Sequence, residues 1–556
     1  MSDRHFAFWP KNLAHDISAP ETNLFYNAEV SATRYPNKSY LVYYDTLITF
    51  KEFRDEAERL AGFLEQACGV KKGDRVLLFM QNSPQFAIGY YAILRANAVV
   101  VPVNPMNLTN ELRHFVKDAG ATTAIVGQEL YPQVKPLAGI ELARVVVAAY
   151  SDYLREPTDI KVPDFITAPR APIADERLTL WVDAMAQNLK PGPLTAGPDD
   201  LCVMPYTSGT TGHPKGCIHT HRTVMFTMFA GAYWFGLDPT AVGLAVLPWF
   251  HVTGMQGSLN GPILTANTVV VLPRWDRDAA ATLMQRYKIN VWNCIPTMVV
   301  DFLANPKLER YDLSSLDRIS GGGAAMPEAI AQRLHDKYGI RFVEGYGLSE
   351  TIAPTHINPP DRPKKQCLGI PICNTEARVV DPATFKELPP GEVGEIIVSG
   401  PQVFLGYWNN PEANKECFVA IDGKRFFRTG DLARVDDEGY YFLVDRLKRM
   451  INASGFKVWP AEVENMLYQH PAIQEACIIA ALDAHRGETV KAVVVLKPDA
   501  KGKVSDKDII DWAAKNMAAY KYPRIVEFVD SLPKSATGKV QWRALQERET
   551  RQQASA

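Results

Sequence analysis

The stretch YTSGTTGHPKG at 206–216 sets Gly209, Gly212 and Gly216 among the hydroxyls of Thr207, Ser208, Thr210 and Thr211, with Lys215 near its end. Glycines let a backbone turn tightly and bring its N–H groups against an anion, while hydroxyls add further donors, so the composition suits a polyphosphate. The spacing is not G-x-x-x-x-G-K-[ST], which argues against an ATPase that cleaves the γ-phosphate on a P-loop. Small polar residues alone would also suit a Ser/Gly linker. Glu350, Asp431 after Thr429 and Gly430, and Lys539 beside Thr537 and Gly538 have the same two-sidedness, since each alone also reads as a turn or surface residue.

The elements that must position such groups follow from periodicity. Amphipathic stretches at 50–67, 85–97, 279–287 and 327–338 alternate with short apolar runs at 75–80, 99–103, 123–126, 269–272, 291–294 and 318–320. That alternation is expected of layered α/β sheets. After Gly391 the texture changes to closely spaced strands at 394–398 and 440–444 with turn residues at 436–439, and a β-rich subdomain is expected there. Beyond Asp445 helices at 460–468 and 505–516 and strands at 473–481 and 490–496 predict a small α+β domain. The fold class is therefore α/β, with an N-terminal domain at 1–444, a boundary at 445–448 and a C-terminal domain at 449–556. A chain of 556 residues is too long for one core in any case.

Composition narrows the function. Hydrophobic residues make up 47% and charged residues 22%, and a formal net charge of −2 offers no attractive field to nucleic acid. The eight cysteines are scattered without a C-x-x-C pair, as expected of reduced thiols in a cytoplasmic protein. Residues 1–16 lack the apolar core of a signal peptide, and Ala554-Ser555-Ala556 matches no peroxisomal or retention signal. The stretch 239–273 has no charged residue, yet Pro248, His251, Gly254, Gln256, Asn260, Pro262 and Asn267 interrupt it. Buried strands and a pocket wall are expected there, with no transmembrane segment.

The 206–216 stretch resembles the phosphate loop of the adenylate-forming superfamily, which includes acyl-CoA synthetases, luciferases and nonribosomal-peptide adenylation domains. The resemblance continues in family order. GYGLSET at 345–351 is similar to the adenine and magnesium motif, RTGD at 428–431 to the ribose motif and DRLK at 445–448 to the interdomain hinge. GFKVWP at 455–460 and PKSATGK at 533–539 complete the series. The resemblance implies an acyl-CoA synthetase of the fatty-acid branch using ATP, Mg2+ and coenzyme A. Such an enzyme forms an acyl-adenylate with release of pyrophosphate, then a thioester with release of AMP. An aryl-acid ligase, or an enzyme that loads a separate carrier protein or releases its adenylate for oxidation, stays open beside it. So does a noncatalytic nucleotide sensor, against which the presence of Glu350 and Lys539 argues.

By the same resemblance Thr207 and Glu350 hold magnesium, Thr351 and the 206–216 loop touch phosphates, and Tyr346, between Gly345 and Gly347, stacks on adenine. Asp431 binds the ribose hydroxyls, helped by Arg446. Lys539 bridges the incoming carboxylate and the α-phosphate, where two anions meet and fixed positive charge is needed. Lys448 is the pivot about which a mobile C-terminal domain rotates, after which Gly455, Phe456 and Lys457 line the approach of the thiol. PWFHV at 248–252 matches the aromatic gate of the acid pocket, where Phe250 and His251 stand. Amino-acid-activating relatives usually have an aspartate there, so an amino acid substrate is not expected. Trp234, Met255, Gly321, Gly322, Gly323, Ala324 and Ala325 are the expected wall residues, the glycine and alanine run leaving room for an alkyl chain. A strand-to-helix turn without ligand contact is the other reading of that run. His251 is a gate or a base for the thiol. Seventeen residues follow Lys539, so free CoA is the expected acceptor. A homodimer is kept open.

Overall fold

The computed structural model describes residues 3–172, 175, 177–207, 214–323, 325–446, 449–453, 456–483, 487–535 and 539–554. It divides into two compact units: His5–Glu376 with Val398–Phe427, and Met1–Arg4 with Ala377–Ile397 and Arg428–Ala556. The expected boundary at 445–448 lies inside the second, smaller unit, and Leu447 and Lys448 fall outside the described residues.

The larger unit is built on two sheets. In the first, strands run in the spatial order Ile370–Pro371, Ala353–Ile357, Phe342–Leu348, Arg318–Gly322, Val291–Cys294, Val242–Ala245, Thr268–Val271, Ser39–Tyr43 and Thr46–Thr49. Its centre is parallel and its two ends turn antiparallel. The second has the order His219–Thr220, Leu201–Val203, Val99–Pro102, Arg75–Phe79, Thr123–Gly127, Arg144–Ala148 and Leu178–Leu180. Helices Phe50–Gln66 and Pro84–Arg95 pack against each other in this unit. Phe50–Gln66 begins where the Thr49 side chain accepts from Glu52 N, and buries Phe53, Ala57, Leu60, Ala61 and Leu64 at helical spacing. Pro84–Arg95 starts on a Ser83 cap with Pro84 in the first turn, and is buried on nearly all sides.

These are the expected α/β layers, with bounds within one to three residues of the sequence reading. The charge-free stretch holds the strands Val242–Ala245 and Thr268–Val271 around Val252–Met255, a π turn Gln256–Asn260 and Gly261–Thr265. Among the described residues no helix is long and apolar enough to cross a membrane.

In the smaller unit Gly487–Leu496 pairs antiparallel with Ile473–Asp483 and parallel with Ile525–Phe528. Helices Pro460–Leu467 and Asp506–Asn516 bury Val463, Leu467, Ile509 and Ala513 in its core.

Glycine decides how closely the strands under the candidate site approach. A Cβ on Gly322 would lie 2.3 Å from Gly345 O, one on Gly321 1.9 Å from Cys294 O, and one on Gly347 2.1 Å from Ala353 O. Backbone cannot yield as a flexible side chain can, so Gly322→Ala should cost about 1–3 kcal/mol through forced displacement. A thermal melt of the purified variant checks this; an unchanged midpoint would show that the strands part without cost.

Candidate active site

The hairpin that carries the candidate phosphate loop is set by Thr207 pairing with Lys215 and Tyr206 with Gly216. Its base is fixed by the Tyr206 hydroxyl donating to Asp118 Oδ2 at 2.6 Å. Ser208, Gly209, Thr210, Thr211 and Gly212 lie outside the described residues. Gly345, Tyr346 and Gly347 sit on the strand Phe342–Leu348, with Tyr346 paired across to His356 and the two rings edge to face at 5.7 Å. The turn Ser349–Thr351 follows, with Glu350 half-buried.

A strap at 404–408 joins these two motifs. Phe404 N donates to Glu350 O at 2.8 Å, Leu405 N to Ile218 O at 3.0 Å and Trp408 N to Gly216 O at 2.8 Å. The Tyr407 hydroxyl donates to Glu350 Oε1 at 2.7 Å, and Lys215 Nζ lies over the Tyr407 ring, 4.9 Å from its centre. Burial, with the Glu350 carboxylate beside it, pushes the phenol well above its usual range, so the hydroxyl keeps its proton. His219 adds a second tie: its buried Nε2 donates to Ser349 O at 2.8 Å. Sequence reasoning missed Tyr407, His219 and Ser349. The contacts of Tyr407 and His219 span 57 and 130 residues of chain, beyond the reach of any local pattern.

Thr351 was expected to touch phosphate. The structure gives it another place: it is fully buried, and its hydroxyl accepts from Leu348 N at 3.0 Å and lies 2.8 Å from Ala353 O. A hydroxyl engaged inside the turn caps it. Ser349, half-buried beside Glu350, is the nearer candidate for a phosphate.

On the acid side, Phe250 and His251 are half-buried, and their segment is held from behind. Asn82 spans it with both ends of its amide, Nδ2 to Leu247 O at 2.9 Å and Oδ1 from Trp249 N at 2.8 Å. Trp249 is core, its indole donating to Ser258 Oγ. His251 Nδ1 accepts from Thr253 N at 3.4 Å, at the start of Val252–Met255. Asn293 links this region to the glycine run, donating to Gly257 O at 3.0 Å and accepting from Ser320 Oγ at 2.6 Å. Gly321 and Gly322 are half-buried, while Gly323 and Ala325 are exposed. The space at Gly321 and Gly322 faces backbone carbonyls, so strand packing accounts for their size. Trp234 and Met255, expected in the wall, are buried: Trp234 donates to Asn358 O and meets Trp9 edge-on, and the Tyr90 hydroxyl contacts Met255 Sδ. Ala324 lies outside the described residues.

Asp431, Arg446 and Lys539 belong to the smaller unit. Asp431 is buried, with its backbone paired to that of Arg446. Glu395 braces the turn before it, accepting from Arg428 at 2.9 Å and from Gly430 N at 3.1 Å. Lys539 is exposed, and its carbonyl accepts from Ser535 N–H at 2.8 Å. Phe456 and Lys457 enter the short strand Phe456–Val458, Arg446 ends Tyr441–Arg446, and Gly455 and Lys448 fall outside the described residues.

Comparison with known proteins now decides the family. The model described as AMP-binding enzyme matches residues 28–408, and that of the AMP-binding enzyme C-terminal domain matches 462–539. The chain belongs to the AMP-binding enzyme family. The family suggested by its motifs is therefore its own. It is 35% identical over 555 residues to a long-chain-fatty-acid–CoA ligase of Bacillus subtilis strain 168, covering 98% of each chain. To a feruloyl-CoA synthase of an Amycolatopsis species it is 34% identical, over 89% of this chain and 92% of the relative. Among solved structures, an anthranilate CoA ligase in complex with anthranoyl-AMP superposes with a TM-score of 0.84 at 28% identity, covering 96% of this chain and 98% of that one. ATP-bound MatB from Rhodopseudomonas palustris gives a TM-score of 0.83 at 28% identity, with coverage of 95% and 99%.

Burial lowers the pKa of His219 from 6.5 to about 4. Between those values the unfolded chain holds a proton that the native imidazole lacks, so stability rises with pH across the window and is lost as pH falls from about 6.5 towards about 4. His219→Gln keeps an N–H donor for Ser349 O without the titration. Its unfolding free energy should fall less steeply between pH 6 and 5, by about 1 kcal/mol per pH unit. Denaturant midpoints across that range measure it, and parallel slopes would contradict a neutral buried His219.

Proposed function

We propose that this protein is an ATP-dependent acid:CoA ligase, AMP-forming, that makes an acyl-adenylate with release of pyrophosphate and then an acyl-CoA with release of AMP. Membership of the AMP-binding enzyme family supports the reaction class. The observation that carries the reading is the strap, which holds a lysine and a carboxylate on one tyrosine beside the glycine-rich hairpin. Attack of a carboxylate on a phosphate brings two anions together, and only preorganised positive charge and donors lower that barrier.

In this reading Lys215, Thr207 and the residues 208–212 hold the phosphates, joined by Ser349. Tyr346 faces adenine, Asp431 with Arg446 binds ribose, and the exposed Lys539 delivers a point charge to the α-phosphate and the acid. No group of three or more His, Cys, Asp or Glu side chains suited to a metal occurs among the described residues. That fits Mg2+, which takes one or two carboxylates and completes its shell with phosphates and water, and Glu350 with Thr207 would hold it. When bound, Mg2+ neutralises phosphate charge. Phe250 and His251 gate the acid, and the use of His251 Nδ1 as a helix cap supports gating over proton transfer.

The domain assignment belongs to the same proposal: an N-terminal domain at 1–444, a hinge at 445–448 with Lys448 as pivot, and a mobile C-terminal domain at 449–556 whose Gly455, Phe456 and Lys457 line the thiol's approach. Separate family matches at 28–408 and 462–539 support two functional parts. A cytoplasmic location is supported by eight free cysteines, and a homodimer remains part of the reading, checked by light scattering. The acid is a fatty or similarly apolar one, as in the Bacillus relative. An aromatic acid is the second reading, favoured by the nearly equal likeness to feruloyl-CoA synthase.

Purified protein given ATP, Mg2+, CoA and a panel of straight-chain, branched and aromatic acids should yield AMP and pyrophosphate in step with thioester. ADP and inorganic phosphate as stoichiometric products would exclude the reading. The preferred acid decides between the fatty and the aromatic alternative.

Lys539→Ala should separate the half-reactions. Adenylate formation should fall by about two orders of magnitude or more, as expected for loss of a preorganised charge, while thioester formation from supplied acyl-adenylate suffers much less. Equal loss in both, measured by single-turnover assays, would place Lys539 in a shared structural element.

A further inference from the structure

Tyr407 is fixed before any ligand arrives. Its backbone N–H donates to Asn414 Oδ1 at 2.6 Å, its backbone bridges antiparallel to Cys217, and its ring meets Phe404 edge-on at 4.9 Å. Gly406 before it has a φ of 152°, and a Cβ there would lie 2.8 Å from the Asn414 side chain. The ring therefore has little freedom to turn, and both of its polar partners are set by its place.

Those partners are opposite charges on separate elements. Lys215 comes from the hairpin and Glu350 from the turn after Phe342–Leu348. Two such groups in a partly buried site would gain by pairing with each other, and an ammonium so paired is no longer available to a phosphate. The tyrosine offers each a weaker partner: a ring face for the ammonium, and a single hydrogen bond that orients the carboxylate plane.

We propose that Tyr407 is a positioning residue for nucleotide binding, keeping Lys215 apart from Glu350 so that the lysine stays directed to phosphate and the carboxylate to the metal that accompanies ATP. This rests on the assignment of Lys215 and Glu350 to nucleotide and metal made above. Tyr407 acts through Lys215 and Glu350. Its hydroxyl governs the metal arm and its ring governs the lysine arm, so the two can be separated.

The test uses full-length protein without acid or CoA, titrated calorimetrically with ATP in EDTA and with ATP over a range of Mg2+ concentrations. Tyr407→Phe removes the hydroxyl and keeps the ring. Its affinity for ATP in EDTA should stay within about twofold of the parent, while the Mg2+ concentration for half-maximal enhancement of ATP binding rises about tenfold or more, the usual loss when a hydrogen bond to a metal ligand is removed. Tyr407→Leu, lacking the ring as well, should also weaken ATP binding in EDTA. Glu350→Gln should abolish the Mg2+ enhancement, and adding Tyr407→Phe to it should change nothing further. If Glu350→Gln leaves the enhancement intact, the assignment of Glu350 fails. If Glu350→Gln removes it but Tyr407→Phe binds Mg2+ and ATP like the parent, the inference is overturned while that assignment stands. A Tyr407→Phe variant that melts far below the parent, or that loses ATP affinity equally with and without Mg2+, gives the hydroxyl a merely structural role and overturns the inference too.

Discussion

Arg318–Gly322 and Phe342–Leu348 pair in parallel with Gly322 against Gly345, and the carbonyl of Gly345 occupies the place where a side chain on Gly322 would begin. That close approach governs where everything after it falls. Phe342–Leu348 leads directly into Ser349 and Glu350, and the antiparallel return Ala353–Ile357 leaves no room for a side chain at Gly347. A displacement of one strand by a fraction of an ångström would move the carboxylate by at least as much, because the turn between them is only three residues long and is closed by Thr351. Glycine at these positions is a packing requirement that the chemistry inherits.

The polar ties around the turn act on backbone more than on side chains. His219 and Phe404 reach carbonyls of Ser349 and Glu350, and Tyr407 reaches the carboxylate itself. Backbone ties hold the turn wherever its side chains point, so the orientation of the Glu350 carboxylate is a separate matter to which the Tyr407 phenol contributes. His219 suits its part because burial keeps it neutral, so it donates to the Ser349 carbonyl without burying an unpaired charge. On the acid side Asn82 does similar work, gripping Leu247 and Trp249 on either side of Pro248, which has no N–H of its own to offer.

The layered α/β class, the helix at 50–66 and the strands of both sheets were legible in sequence, because an apolar stripe such as Phe53, Ala57, Leu60 and Leu64 has one helical interpretation. Motif residues were legible as types: Lys215, Glu350 and Tyr346 come to one unit. What escaped was everything decided by contacts distant in sequence. Small residues at 321 and 322 suggested space for a ligand, but strand approach accounts for their size. Trp234 and Met255 suggested a pocket wall and turned out to be core. Thr351 was expected at phosphate through the resemblance of its motif, whereas the carbonyl that engages its hydroxyl is not visible in a sequence.

The distribution of charge between the two units bears on mechanism. The larger unit by itself presents the hairpin lysine and Glu350, the groups proposed for the phosphates and their metal. Asp431, proposed for ribose, and Lys539, proposed for the bond being made, are carried by the smaller unit, one buried on a braced strand and the other exposed. Groups that must hold ATP through the whole cycle gain from rigid ties, and the strap provides them. A group needed only while the carboxylate attacks gains from standing on a different body, since its withdrawal then requires no rearrangement of the phosphate site. The contrast between a tethered Glu350 and an exposed Lys539 supports the proposed division of labour.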